Sequence, residues 1–185
     1  MILSIKKPIR WIKFKTWYLF DLPMFIKENN LKKGLELGAK AGRSMFHVLR
    51  LNKQLHYTGI DLWETIQGEE FINNKTNEFK CRRRLERFNT RSQLIKGDAY
   101  YLSDTFKKES FDFIFYDLHS EHMDGFHSSV LKKYLPKIKK GGFLIGCDFR
   151  DFRVDLFTLG FKESDFKSCE FKNKQSERLE YLVIK

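Results

Sequence analysis

Short apolar runs recur along this 185-residue chain, and each stops on a glycine or an acid. The run at 34–37 meets Gly38, 56–60 meets Asp61, 92–96 meets Gly97 and Asp98, 111–116 meets Asp117, and 141–147 meets Asp148. Runs this short, bounded by turn residues, read as strands, and the segments 44–52, 71–91 and 126–139 between them carry helical spacing. Strand and helix in alternation predict a parallel sheet covered by helices. The polar strand ends would then share the C-terminal edge, where ligands bind in open α/β sheets. Pro136, just before the Gly141-Gly142 pair, marks the stop of the last of these helices. In 71–91 the spacing turns Phe71, Phe79, Leu85 and Phe88 inward and Arg82, Arg83, Arg84 and Arg87 largely outward. The tail alternates over 160–171 and 178–185 around a polar stretch, the pattern of a closing hairpin.

Chemistry concentrates at 34–44, GLELGAKAGRS. Leu35 and Leu37 flank Glu36, and Gly38 and Gly42 stand where the backbone must turn tightly and approach a ligand without a Cβ. The helix that follows opens with free N–H groups at Arg43, Ser44 and Met45, which favour a carboxylate or phosphate. A dinucleotide fingerprint needs G-x-G-x-x-G with an acid about twenty residues later. Here the glycines stand four apart, Lys40 lies between them and an acid precedes the first, so the pattern is wrong for NAD. Asp61, 23 residues after Gly38, sits at the tip of the second strand, where a carboxylate accepts both hydroxyls of a ribose.

The E-x-G-x-x-x-G-x-S turn, with the strand-end acids in this order from about 31 to 185, resembles the class I S-adenosylmethionine-dependent methyltransferases, in the form common among small O-methyltransferases. The resemblance implies a Rossmann-like, doubly wound, seven-stranded sheet with a C-terminal antiparallel hairpin, three layers deep. By the same resemblance Glu36, Leu37, Gly38, Ala39, Gly42 and Ser44 would hold the methionine end of S-adenosylmethionine. Asp61 and Leu62 would hold the ribose, Gly97, Asp98 and the Ala99 amide the adenine, with Trp63 over the adenine ring and Asp117 also at the cofactor. S-adenosylhomocysteine is then the product.

Composition fits one domain at 31–185, preceded by a basic, aromatic segment at 1–30. With 42% hydrophobic residues, 19 of them phenylalanine, the chain can bury one core despite 32% charge. The net charge of +11 is uneven: 1–33 holds eight Lys/Arg against two acids, and 71–91 holds seven against two. The second segment reads either as a solvated helix face or as a surface for RNA or an acidic substrate, through Arg82, Arg83, Arg84 and Arg87. In the first, Trp11, Phe14, Trp17 and Tyr18 alternate with Lys6, Lys7, Arg10, Lys13 and Lys15. Such a segment caps the sheet, lies on a membrane surface or stacks on bases, and in the family it often supplies a lid. Cys81, Cys147 and Cys169 are odd in number and far apart, apolar runs fall short of a membrane span, and no secretory signal is legible. The expected location is the cytoplasm.

Methyl transfer asks the protein to align a nucleophile, exclude water and accept a proton. The segment DLHSEH offers Asp117, His119 and His122 for this, with Asp148 from the fifth strand end. In catechol-type relatives the acids after strands four and five bind magnesium or calcium, which makes Asp117 and Asp148 candidate ligands. Phe149 replaces the Asn ligand of those enzymes, so Glu121, a histidine or water would have to complete the shell, and a divalent metal is not favoured. No Asn/Asp-Pro-Pro-aromatic sequence follows the fourth strand, which argues against amino methylation of nucleic acid bases. The expected activity is O-methylation of a saccharide or other small acceptor. RNA methylation and a non-catalytic cofactor-binding or regulatory module stand as alternatives.

Overall fold

The computed structural model describes residues 17–64, 74–118, 125–146, 149–169 and 179–185. Seven strands form one sheet: β1 (Lys33–Leu37), β2 (His56–Asp61), β3 (Ser92–Lys96), β4 (Phe111–Tyr116), β5 (Ile138–Gly146), β6 (Phe166–Cys169) and β7 (Leu179–Val183). Their order is β3-β2-β1-β4-β5-β7-β6, parallel as far as β5 and antiparallel in the last three. The chain winds outward from β1 to β3, then returns to lay β4 on the other side of β1. That reversal opens a crevice at the C-terminal ends of β1 and β4.

Alternation along the buried strands sorts side chains into two cores. One face carries Tyr57, Phe113, Phe115 and Ile145 under α1 (Trp17–Glu28), α2 (Arg43–Leu51) and α3 (Asn74–Leu85). The other carries Leu35, Leu37, Ile60, Ile114, Tyr116 and Leu144 under α4 (Ala99–Leu102), α5 (Phe126–Tyr134) and α6 (Phe149–Thr158). Helix α1 joins the first core through Leu22, Phe25 and Ile26, and the Pro23 carbonyl accepts from Asn52 Nδ2 at 3.0 Å. This segment therefore shares the core of the sheet. The basic and aromatic stretch before Trp17 lies outside the described residues.

Three sequence expectations need correction. Helix α5 stops at Tyr134, not near 139, because Pro136 lacks an N–H and restricts Leu135; a 3-10 turn spans Leu135–Lys137. Strand β5 starts at Ile138, and the Gly141-Gly142 pair is a bulge within it: Ile138 pairs with Phe111, but Phe143 pairs with Phe113. In α3, Phe79 faces solvent at 65% exposure, while Cys81 and Leu85, one turn apart, are the buried pair. Phe71 lies outside the described residues.

Candidate active site

Hydrogen bonds between neighbouring strand ends assemble the C-terminal edge. Asp117 N–H donates to Leu37 O at 2.9 Å, Gly38 N–H and Ala39 N–H donate to Ile60 O at 2.9 and 3.1 Å, and Gly97 N–H donates to Asp61 O at 3.0 Å. The ends of β3, β2, β1 and β4 thus lie side by side. They bring together the turn at 38–42, Asp61, Gly97, Asp98, Ala99 and Asp117.

The turn itself is left-handed at three positions: Gly38 (φ 93°), Lys40 (φ 45°) and Gly42 (φ 67°). A Cβ at Gly38 would strike the Asp117 carbonyl oxygen, and one at Gly42 would lie 2.7 Å from Cys81 Sγ. The glycines therefore answer to β4 and α3 as neighbours; the sequence reading assigned their Cβ-free surface to a ligand. Gly42 caps α2 without a side-chain bond, and the first helical bond runs from Phe46 N–H to Gly42 O. The amides of Arg43, Ser44 and Met45 have no intrahelical acceptor and suit an anionic carboxylate.

Asp61 is fixed from both sides. Its Oδ2 accepts from Lys40 N–H at 2.7 Å and its Oδ1 from Trp63 N–H at 2.8 Å. Each oxygen keeps acceptor capacity for a further donor, as a ribose diol requires. Trp63, expected over an adenine, is instead 1% exposed and belongs to the core beside Cys81 and Leu85. Its Nε1 donates to Lys40 O at 2.7 Å, so the indole braces the turn from behind. Asp98 caps the four-residue α4, accepting from Tyr100 N–H at 2.7 Å, and the Ala99 carbonyl accepts from Tyr134 Oη at 2.8 Å.

Glu36 is the unusual member. It is fully buried on the α2 side of β1, and its Oε1 accepts from Ser44 Oγ. Its Oε2 and the Tyr57 hydroxyl are both buried, and neither finds a partner beyond the other. Burial pushes the Glu36 carboxyl up to about 8, with the Asp117 and Asp61 charges adding to the rise and Ser44 and Tyr57 opposing it. The amides of α2 and the Asp61 carboxylate, with the buried Glu36 carboxyl on the same turn, together fit a zwitterionic, cationic nucleoside such as S-adenosylmethionine.

Helix α3 is tied to the same turn. Arg84 donates to Ala41 O, and the Arg82 guanidinium lies 5.7 Å from the Trp63 ring while pairing with Glu78 at 2.9 Å. A third, Arg87, lies 6.0 Å from the Phe88 ring, so three of the four arginines read as an outward basic face engage protein. Arg83 and Arg87 are exposed.

On the acceptor side, Asp117 is half-buried and stands at the β4 end, while His119, His122, Glu121 and Asp148 lie outside the described residues. Among the described residues no three His, Cys, Asp or Glu side chains form a metal-binding group. Sequence reasoning missed several contributors. Tyr57 shares the Glu36 face through the parallel register of β1 and β2, in which Gly34 pairs with Tyr57. Alternation read across two strands would have found it. His127, 9% exposed, bonds Tyr116 Oη through Nδ1 at 2.8 Å, and Asp155 of α6 accepts from the adjacent Ser128 N–H at 2.9 Å. No local pattern marks that pair.

A family model described as a methyltransferase domain matches residues 35–149, from β1 to the start of α6. The chain belongs to this methyltransferase family, in agreement with its resemblance to the class I S-adenosylmethionine-dependent enzymes. Solved structures share the fold at low identity. A caffeoyl-CoA O-methyltransferase candidate from Staphylococcus aureus aligns at 17% identity and TM-score 0.62, over 90% of this chain and 82% of that one. An O-methyltransferase candidate from Klebsiella pneumoniae aligns at 16% and 0.63, over 91% and 80%. The S-adenosylhomocysteine-bound methyltransferase PaMTH1 of Podospora anserina aligns at 14% and 0.59, over 92% and 77%. No curated protein matches the sequence. No helix among the described residues is long and apolar enough to cross a membrane.

Proposed function

We propose that this methyltransferase moves a methyl group from S-adenosylmethionine to a hydroxyl of a small acceptor, with a saccharide as the first class to try. The observation that carries the cofactor half is the convergence of the α2 amides, Asp61 and Glu36 on one turn. Support for a hydroxyl comes from the fold-sharing O-methyltransferase candidates and from the absence of the Asn/Asp-Pro-Pro-aromatic sequence after β4.

When bound, the cofactor supplies an electrophilic methyl on a sulfonium. The chain's part is then to position the nucleoside through Asp61 and the α2 amides, to exclude water, and to accept the acceptor's proton. For that last task the sequence offers Asp117, His119 and Asp148 at strand ends on one edge, with His122 beside them. A hydroxyl is a poor nucleophile at neutral pH until its proton is accepted.

Calorimetry with S-adenosylmethionine and S-adenosylhomocysteine tests the first half: both bind, and both raise the melting temperature. Folded protein that binds neither at millimolar concentration sinks this reading. With an acceptor found by screening, His119→Ala and Asp148→Ala each lower turnover by about 10² and leave cofactor affinity nearly unchanged. Full activity in both variants removes these residues from the mechanism.

A further inference from the structure

Glu36 sits at the end of β1 with every neighbour that acts on it either neutral or anionic. Ser44 reaches it from α2, Tyr57 and Asp61 from β2, and Asp117 from β4. From α3 comes the buried Cys81 thiol, which burial pushes up to about 12, with Glu36 and Asp61 adding to the rise; Arg84 and Arg82 of the same helix oppose it at Cys81 but do not act on Glu36 itself. A carboxylate at 0% exposure with two carboxylates nearby and no cation among these neighbours is a costly charge. The α2 N-terminus favours the anion, but burial outweighs it, and the carboxyl holds its proton near neutral pH.

Two atoms of this cluster, Glu36 Oε2 and Tyr57 Oη, are buried and satisfied by no group outside the pair, while the Tyr57 hydroxyl lies close enough to favour the Glu36 anion. Tyr57 can donate to an ionised Glu36 or accept from a protonated one, so the cluster accommodates both states without moving backbone. Only an incoming positive charge is lacking to make the ionised state favourable. The two forms of the cofactor differ at this point: S-adenosylmethionine carries a sulfonium and an ammonium, whereas S-adenosylhomocysteine carries the ammonium alone.

We infer that Glu36 is the residue by which the site distinguishes the two cofactor forms by charge: uptake of S-adenosylmethionine expels the Glu36 proton to solvent, and uptake of S-adenosylhomocysteine expels markedly less. This rests on the cofactor reading above. Binding linked to release of one proton strengthens about tenfold per pH unit below the free group's titration. The affinity ratio of S-adenosylmethionine to S-adenosylhomocysteine should therefore climb between pH 6 and 7. In that window the α-amino group of either ligand, ordinarily titrating near 7.7 to 8.0, stays charged.

The experiment is titration calorimetry of the full chain at pH 6.8 in buffers of different ionisation enthalpy, which counts protons released per ligand bound. Close to one proton for S-adenosylmethionine and clearly fewer for S-adenosylhomocysteine is the expected result. Equal counts, or none for either ligand, overturn it while leaving the cofactor reading intact. In Glu36→Gln, which keeps the shape of the neutral acid, the difference should vanish; its persistence assigns the proton elsewhere and overturns the inference. Should that variant fold poorly, Tyr57→Phe serves: removing the hydroxyl that stabilises the anion should lower the S-adenosylmethionine proton count, and an unchanged count counts against the cluster. Absence of binding by either ligand removes the cofactor reading, and this inference with it.

Discussion

The two edges of the sheet handle acids in opposite ways. At the N-terminal edge Asp112 is filled by protein: Oδ2 accepts from Lys32 N–H at 2.7 Å and Lys33 N–H at 2.8 Å, and Oδ1 pairs with Lys139 Nζ at 2.6 Å. Those donors outweigh its partial burial and hold its carboxyl below the usual range. At the C-terminal edge Asp61 meets two amides but no cation, and Glu36 meets one hydroxyl. Strength of bonding therefore does not separate a structural acid from one awaiting a ligand. Unused acceptor capacity does: Asp112 meets three donors, one of them a cation, whereas Asp61 meets two and Glu36 fewer still.

That contrast has opposite signs in pH. The Glu36 carboxyl is raised from 4.5 to about 8 on folding, so the native state binds more protons than the unfolded one in that interval, and stability of the cofactor-free protein falls as pH rises through it. The full effect of such a shift is on the order of 4 to 5 kcal/mol. Asp21, raised by burial alone, acts in the same direction. Asp112, whose carboxyl is lowered, adds stability above its unfolded value near 3.8 that is lost as pH falls through the folded one. Urea midpoints at pH 5, 6, 7 and 8 should decline for the parent and decline much less for Glu36→Gln; parallel curves refute the buried, protonated acid.

Asp61→Ala tests the other member of the ligand edge. Lost bonds to the ribose should weaken S-adenosylhomocysteine binding by about 1.5 to 3 kcal/mol. The variant also orphans the Lys40 and Trp63 amides, so a drop in melting temperature accompanies it. Asp112→Ala provides the mirror: a stability loss of about 1 to 3 kcal/mol with cofactor affinity unchanged. If calorimetry found affinity falling equally in both variants, the division between edges would be wrong. The smallest effect belongs to Phe79→Ser, which should stay within about 0.5 kcal/mol because the ring is exposed.

Much of this was legible in the sequence, for identifiable reasons. Buried parallel strands ending on acids are a local, period-two signal, and the bounds of β2 and β4 follow from it directly. The hairpin of β6 and β7 was visible in the same way. Elements judged by a helical period were less secure: α3 has a weakly apolar stripe, and only the packing of Cys81 against Gly42 decides which face turns inward. Site residues were nameable one by one, but their mutual service was not. Nothing local says that Trp63 braces Lys40, or that Tyr57 lies beside Glu36, because each relation crosses between strands or turns.

The close approach of Gly42 to Cys81 sets a size ceiling that natural variation must respect. Position 42 is held to glycine by its left-handed backbone as well as by the sulfur opposite, so the freedom lies at 81, and only towards small side chains. A lineage that enlarged residue 81 would lift α3 from the turn, detaching the Arg84 anchor and uncovering Trp63 in the same step. In homologues residue 42 should accordingly stay glycine and residue 81 small, with 82 and 84 free to change only where the helix keeps its seat on the turn: the turn and the third helix are inherited as a single character.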